Sequence, residues 1–272
     1  MKVSLTAALE ASSSAPILFR GSLEQAFALA SRLGYDGVEI HIGHPGDIDR
    51  QGTRELCRRT GLGVPTIGTG MAAGKEGLSF TDAEAAVRAR AVERILLHIE
   101  LAAYLNSGVT IGLIYGRLGQ PVEQRGSREQ AALECLKACC QAAEQKGVTL
   151  FLESINRYET DCLNTLEEAV QRIERIGSPS LKLLADTFHM NIEEVDLAAS
   201  LRRCRQHLGH VHLADSNREA PGHGHLDVGG VLRVLSDIGF EGYVSLEVLP
   251  RPDGRQAAKD GIACVRNLLA GG

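Results

Sequence analysis

Strand-like and helix-like segments alternate along this chain from one end to the other. Eight short runs rich in β-branched and aliphatic residues are each followed by a longer segment with helical periodicity. Such alternation predicts a parallel sheet, because parallel neighbours need a crossover that a helix usually supplies. The predicted strands are Lys2–Leu5, Gly37–His41, Val64–Ile67, Val109–Ile114, Val148–Glu153, Leu181–Asp186, His210–Ala214 and Tyr243–Val248.

The predicted helices carry start and end signals. Gly34 and Gly147 stand where a helix C-terminus favours a residue at positive φ. Between residues 82 and 105 the apolar side chains form one helical stripe, as packing against a sheet requires: Val87, Ala91, Ile95, Ile99 and Ala102. The capping-box pattern predicts four helix starts: Ser22 with Gln25, Thr81 with Glu84, Ser127 with Gln130 and Thr165 with Glu168.

Eight strand–helix units within 272 residues predict closure of the sheet. We therefore expect the α/β class and a (β/α)₈ TIM barrel, with residues 1–272 forming a single domain. A doubly wound open sheet is the main rival fold. The first strand is not followed by G-x-G-x-x-G, and the chain contains no Walker A sequence, so a nucleotide site has no support.

Composition disfavours several classes of partner. The formal charge is −5, from 29 basic and 34 acidic residues, and no Lys/Arg cluster stands out, which disfavours nucleic acid. No apolar run approaches the ~20 residues of a membrane span, and the N-terminus lacks signal-peptide features. The seven cysteines are scattered without a C-x-x-C pair, which indicates reduced thiols. We expect a cytoplasmic protein without membrane association.

Four ligand-type side chains occupy the carboxyl ends of the last four predicted strands. Glu153, Asp186, His212 and Glu247 each follow apolar strand residues, and in such barrels chemistry gathers at this face. Carboxylates brought that close repel one another unless a cation compensates. Three carboxylates and one imidazole suit one divalent ion: Mn²⁺, Mg²⁺ or Co²⁺, with Zn²⁺ possible. The alternative is a buried salt-bridge network.

The loops beyond these strands add further polar groups. His189 stands just beyond the strand-six carboxylate, and Glu159 occupies the corresponding loop after strand five. The polar, glycine-containing loop 215–227, which includes Arg218, is a candidate substrate lid or an ordinary solvated connection.

Other polar residues have structural interpretations. If His212 is a ligand, His210 points into the same lumen one layer below, because residues two apart share a face. Glu39 is expected in an ion pair inside the barrel, and Arg117 is expected as a solvated loop cation.

Five segments of the sequence resemble the xylose isomerase-like barrel superfamily, and most closely its D-tagatose/D-psicose 3-epimerase and 5-keto-L-gluconate epimerase group. The segments are residues 153–159, 186–194, 210–218, 221–225 and 244–247. The resemblance implies a divalent metal, commonly Mn²⁺, held by Glu153, Asp186, His212 and Glu247. It also implies that Glu159, His189 and Arg218 contact the substrate, and that the protein forms a homodimer or homotetramer.

The implied reaction is epimerisation at C3 of a ketose or keto-sugar acid through a metal-stabilised cis-enediolate. The resemblance assigns Glu153 and Glu247 as the acid/base pair on the two faces of the carbon. The chain has no Trp and only 4% aromatic residues, which argues against a free ketohexose. Lys75, Arg117 and Arg218 could instead meet a carboxylate or phosphate, so a sugar acid or sugar phosphate is slightly favoured.

Several related functions remain open. An aldose–ketose isomerase of the hydroxypyruvate isomerase type uses the same enediolate, and inosose dehydration is a neighbouring reaction. An AP endonuclease would need further histidines at the ends of strands three and four, which read Ile67-Gly-Thr-Gly70 and Gly112-Leu-Ile-Tyr115. A non-catalytic sugar-binding barrel is the remaining alternative.

Overall fold

Eight parallel strands close into a barrel in the computed structural model, which describes residues 1–271. Closure is made by β1, which pairs with β3 on one side and with β9 on the other. The predicted α/β class and (β/α)₈ fold are therefore confirmed. The strands are β1 Lys2–Ala8, β2 Phe19–Arg20, β3 Gly37–His41, β4 Thr66–Gly68, β5 Gly108–Ile111, β6 Leu150–Glu153, β7 Leu181–Asp186, β8 Leu208–Leu213 and β9 Tyr243–Leu246.

The short strand β2 lies outside the closed barrel and was not predicted. It pairs only with the end of β1, Ala7 opposite Phe19 and Ala8 opposite Arg20. A run of two residues is too short to show the alternation by which strands are recognised in a sequence. The last predicted strand, in turn, ends at Leu246 rather than Val248, so Glu247 follows β9 directly.

Ten α-helices surround the barrel in the described part of the chain. They are α1 Leu23–Leu33, α2 Arg50–Thr60, α3 Gly70–Glu76, α4 Ala85–Leu105, α5 Arg125–Lys146, α6 Leu166–Ile176, α7 Thr187–Glu193, α8 Leu197–Cys204, α9 Val228–Asp237 and α10 Gly254–Ala270. None of these helices combines the length and the apolar character that crossing a bilayer requires. On α4, the predicted stripe is buried from Ala91 to Ala102.

Two of the four predicted helix starts are confirmed. The hydroxyl of Ser22 accepts from Gln25 N, and that of Thr165 accepts from Glu168 N. The predictions at Thr81 and Ser127 are wrong. Thr81 donates its hydroxyl to Arg117 O and lies before α4, whereas Ser127 is inside α5 and donates to Gln124 O.

The two helix ends predicted from glycine are confirmed. Gly34 and Gly147 have φ of 80° and 65°, the left-handed conformation that closes α1 and α5. This conformation lets their N–H groups bond to carbonyls of the last helical turn, which would otherwise lack a partner.

Apolar strand side chains pack between the barrel and its helices, and polar side chains point into the lumen of the barrel. Leu5, Ile40 and Ile67 are fully buried, and each such side chain stabilises the fold by about 1.5–3 kcal/mol. Successive strand residues face opposite sides, so the intervening positions point into the lumen. Among these lumen positions, Glu39 and Ser245 are also fully buried. The polar lumen lies beneath the carboxyl-terminal rim.

Candidate active site at the carboxyl-terminal rim

Strand ends bring the four predicted metal ligands together. Glu153 and Asp186 are the last residues of β6 and β7, His212 is the penultimate residue of β8, and Glu247 follows β9. Asp186 and His212 are direct partners in the register of β7 and β8. We call Glu153, Asp186, His212 and Glu247 the rim cluster.

The rim cluster converges on the imidazole of His212. His212 Nδ1 lies 3.2 Å from Glu153 Oε1, 3.3 Å from Glu247 Oε2 and 3.6 Å from Asp186 Oδ2. One potential ligand atom from each of the four residues lies within 4.8 Å of all the others. All four are at least nine-tenths buried, and Asp186 has no exposed surface. This geometry suits a single cation enclosed by three carboxylates and one imidazole.

Arg218 extends from the loop 215–227 into the rim cluster. Its Nη1 donates to both oxygens of Asp186, at 2.8 and 2.7 Å, and its Nη2 contacts Glu247 Oε2. The guanidinium also lies 4.8 Å from the centre of the Phe188 ring. Arg218 has φ of 63°, a conformation that costs a non-glycine residue about 1–2 kcal/mol. The ion pair with two buried carboxylates offsets this cost.

Asp215 fixes the loop that carries Arg218. Its carboxylate accepts hydrogen bonds from Gly222 N at 2.8 Å and from Leu226 N at 3.0 Å. Arg218 O in turn accepts from Leu249 N, just beyond β9. The loop predicted as a substrate lid or a solvated connection is therefore held in place by hydrogen bonds within it and to Leu249.

The surroundings shift the pKa values of the two candidate acid/base carboxylates in opposite directions. Burial raises the pKa of Glu153, and the charge of Glu247 raises it further against the opposing effect of His212. Burial also acts to raise the pKa of Glu247, but the positive charges of His212 and Arg218 outweigh it and lower that pKa. In Asp186 the guanidinium of Arg218 likewise overcomes burial and holds the pKa well below its ordinary value. Divergent pKa values in one site are typical of acid/base pairs.

Asn156 joins two of the predicted substrate contacts. Its amide Nδ2 donates to Glu159 Oε1 at 2.9 Å and to His189 Nδ1 at 2.7 Å. Because Nδ1 of His189 accepts this bond, its Nε2 carries the proton when the ring is neutral. Asn156 itself is 1% exposed. Sequence reasoning missed Asn156, although a polar residue inside a ligand-rich loop was a usable signal.

A cavity of about 450 Å³ opens above the rim cluster. Glu153, Glu247 and His212 line its floor, while Glu159 and His189 line its side. The walls also contain small and apolar residues of the first strand ends and loops, which are Ala11, Ala15, Gly68, Gly70, Gly74, Gly112, Met71 and Leu113. The cavity thus places three candidate ligands and all three candidate substrate contacts, Arg218 included, around one space.

The structure also places three other residues singled out in the sequence, Lys75, Arg117 and Glu39. Lys75 lies at the cavity wall and pairs with Glu10 at 3.3 Å. Arg117 is not simply solvated: its Nε donates to Glu159 O at 2.8 Å, so it anchors the Glu159 loop. Glu39 lies inside the barrel as expected, and its carboxylate is within 3.0 Å of ring nitrogens of three histidines, contacts that are ion pairs only where a ring is protonated.

The fold and the rim cluster define a (β/α)₈ barrel with a candidate metal-binding cluster at its carboxyl-terminal face. Residues 27–268 match the family model described as "Xylose isomerase-like TIM barrel", and the chain belongs to this family.

Similar proteins include an L-ribulose 3-epimerase of Mesorhizobium japonicum, 32% identical over 84% of this chain and 76% of that protein. A D-psicose 3-epimerase of Enterocloster bolteae is 34% identical over 80% of this chain and 73% of its own length. The solved structure of a 3-keto-D-glucoside 4-epimerase from E. coli superposes with a TM-score of 0.84 at 26% identity, covering 98% of this chain and 99% of that one.

Proposed function

We propose that this protein is a divalent-metal-dependent epimerase that inverts the carbon next to the ketone of a ketose or keto-sugar acid. The observation that carries the proposal is the convergence of Glu153, Asp186, His212 and Glu247 on one point at the floor of the cavity. The names of the similar proteins support the reaction type, since all three are sugar epimerases.

The donor set fits a divalent cation. Three buried carboxylates with one imidazole and one guanidinium leave negative charge that a cation would neutralise. Carboxylate oxygens with a single histidine favour Mn²⁺, and Mg²⁺, Co²⁺ or Zn²⁺ are alternatives. When bound, the ion supplies positive charge that stabilises the negative charge developing on the substrate's ketone oxygen.

Glu247 and Glu153 exchange protons with the substrate carbon. Glu247 accepts the proton from the carbon next to the ketone, and the C–H electron pair forms the double bond of an enediolate. Glu153, in its protonated form, donates a proton to the opposite face of that carbon. Return of the electron pair to the new C–H bond restores the ketone with inverted configuration. In the reverse direction the two residues exchange roles.

Three further residues bind and orient the substrate. His189 lines the cavity and its Nδ1 is held by Asn156, so its Nε2–H group can donate to a substrate oxygen. Glu159 is held by the same amide and can accept from a substrate hydroxyl. Arg218 borders the cavity while holding Asp186 and Glu247, and its remaining N–H groups can donate to a substrate oxygen.

The carbon inverted is proposed to be C3, because two of the three similar proteins are 3-epimerases. The 4-epimerase likeness supports C4 of a 3-keto sugar as the second candidate, and the chemistry is the same because C4 also adjoins the ketone. Both reactions need only a cavity in which two carboxylates reach opposite faces of one carbon.

A deuterium experiment tests the proposal. Purified protein with Mn²⁺ is incubated in D₂O with ketohexoses, ketohexuronates, sugar phosphates and 3-keto glucosides, and products are analysed by NMR. We expect deuterium at the inverted carbon, loss of activity after chelation, and recovery when Mn²⁺ is restored. Glu247→Gln should lower exchange at least about 10²–10⁴-fold.

The matched control is Glu129→Gln, since Glu129 is a partly buried glutamate that binds Arg172 away from the rim cluster. This variant should keep the wild-type exchange rate. Exchange by Glu247→Gln at the wild-type rate would refute the assignment of the proton acceptor.

A further inference from the structure

Glu39 lies inside the barrel beneath the rim cluster and has no exposed surface. Its Oε1 is 2.9 Å from His41 Nε2 and 3.0 Å from His212 Nε2, and its Oε2 is 2.9 Å from His210 Nε2. An ionised carboxylate only accepts hydrogen bonds, so each of the three rings must present an Nε2–H group to it. One buried carboxylate therefore sets the protonation of three imidazoles.

The hydrogen bond to Glu39 decides which ring nitrogen of His212 faces the rim cluster with a lone pair. Once Nε2 donates to Glu39, the other nitrogen of the neutral ring keeps its lone pair. That nitrogen, Nδ1, is the atom that lies 3.2, 3.3 and 3.6 Å from the carboxylates of the rim cluster. A carboxylate behind a ligating histidine fixes the tautomer and the ring orientation and makes the ligand more basic.

The contact exists only because the barrel closes. Glu39 stands on β3 and His212 on β8, and β1 and β9 lie between these strands in the sheet. Glu39 and His41 are two residues apart on β3 and thus share the lumen face, as His210 and His212 do on β8. Gly68, beside His41, has no Cβ, and an added Cβ would overlap the ring of His41.

A second metal is the rival interpretation of the same residues. Glu39, His210 and His212 each offer an atom within 4.8 Å of the others, as a metal site would. However, the hydrogen bonds to Glu39 already use Nε2 of both histidines, and His210 Nε2 also lies 3.0 Å from Ser245 Oγ. The group is satisfied internally without an ion.

We propose that Glu39 is a positioning residue that holds His212 with Nε2 protonated and Nδ1 directed at the metal. The inference rests on the metal-dependent function proposed above and extends it to a residue outside the rim cluster. It also predicts one metal ion per chain.

The test substitutes Glu39→Gln, which keeps the size of the side chain but replaces one acceptor oxygen with an NH₂ donor. The amide cannot accept from all three rings, so the orientation of His212 is no longer fixed. We expect Mn²⁺, measured by the EPR signal of the free ion during titration, to bind about 10–100-fold more weakly. Glu129→Gln, the same substitution at a partly buried glutamate away from the rim cluster, is the control and should keep the wild-type affinity.

The outcomes separate this inference from the proposed function. Absence of Mn²⁺ binding by the wild type would overturn both. Tight binding by the wild type with equal affinity in Glu39→Gln would overturn the role of Glu39 alone. Two ions per wild-type chain, one of them lost in Glu39→Gln, would instead establish the second metal site and refute the positioning role.

A measurement on the wild type covers the case in which Glu39→Gln fails to fold. Long-range ¹H–¹⁵N NMR of the Mg²⁺-loaded protein reports which ring nitrogen of each histidine carries the proton. We expect Nε2–H for His41, His210 and His212. A His212 ring protonated on Nδ1, or bound to the metal through Nε2, would contradict the proposal.

Discussion

Replacement of Arg218 by methionine removes the guanidinium that neutralises two buried carboxylates, while most of the side-chain volume is kept. Arg218 donates to Asp186 at 2.8 and 2.7 Å and also contacts Glu247, and neither carboxylate has another arginine or lysine within 4.0 Å in residues 1–271. Removing one partner of a buried ion pair costs about 3–5 kcal/mol. For a chain of 272 residues, an unfolding entropy of about 2.1 cal/mol/K per residue converts this to a melting temperature about 5–9 °C below that of the wild type in the metal-free variant.

The loss should depend on pH. In the wild type the pKa values of Asp186 and Glu247 are lowered on folding, so these groups stabilise the fold above their unfolded pKa values, and the effect disappears as the pH falls through the folded ones. Without Arg218, one of the charges that opposes the effect of burial is lost, so both pKa values should rise from their wild-type values and the carboxylates should take up protons more readily as the pH falls. The difference in unfolding free energy should be largest at pH 8 and shrink toward about pH 4.

Urea unfolding followed by circular dichroism measures this, since the chain has no Trp for fluorescence. Arg58→Met is the control: Arg58 pairs with Glu55 on the surface, with side chains 75% and 47% exposed, and its removal should leave the midpoint unchanged. Saturating Mn²⁺ should stabilise Arg218→Met more than the wild type, because the ion supplies the missing positive charge. A metal-free variant as stable as the wild type at pH 8 would refute the reasoning.

Two further substitutions test the cavity. Asn156→Leu removes the hydrogen bonds that orient Glu159 and His189. The KM for the substrate should therefore rise about tenfold, while the affinity for Mn²⁺ is kept. A changed Mn²⁺ affinity with an unchanged KM would contradict this. Gly112→Ala places a Cβ against Glu153 Oε2 and should abolish deuterium exchange in a folded protein, whereas Gly126→Ala, where a Cβ meets nothing within 4 Å, should retain it. Full exchange by Gly112→Ala would show that Glu153 has room to move.

Strand-end residues were predictable because strand and helix periods are local properties of a sequence. Glu153 and Asp186 close apolar runs, and the alternation of units indicates that such ends meet at one rim. The same local information was insufficient for helix starts. Thr81 and Ser127 carry the capping pattern, but their hydroxyls bind carbonyl groups instead of free N–H groups.

The contacts that cross the lumen of the barrel could not be predicted from neighbouring residues in the sequence. Nothing in the residues near Glu39 indicates that its carboxylate meets His210 and His212, which lie 171 and 173 positions later. The sequence permitted an ion pair inside the barrel but could not supply its partners, because the partners depend on closure and on the stagger of the strands. The position of Arg218 is of the same kind, since it depends on a loop folded by Asp215.

The distribution of site residues along the chain explains why the reaction was easier to infer than the substrate. The rim cluster and the proposed proton exchange come from residues 153–247, where strand ends impose the geometry. The opposite wall of the cavity comes from loops and strand ends before residue 114, including Ala11, Met71 and Leu113. Small and apolar residues dominate this wall, and His41 and Lys75 add polar groups to it, so we expect shape and polar contacts together to select the sugar. We therefore expect the first part of the chain, together with the proposed substrate contacts Glu159, His189 and Arg218, to decide which sugar binds, while the proposed metal ligands stay in place.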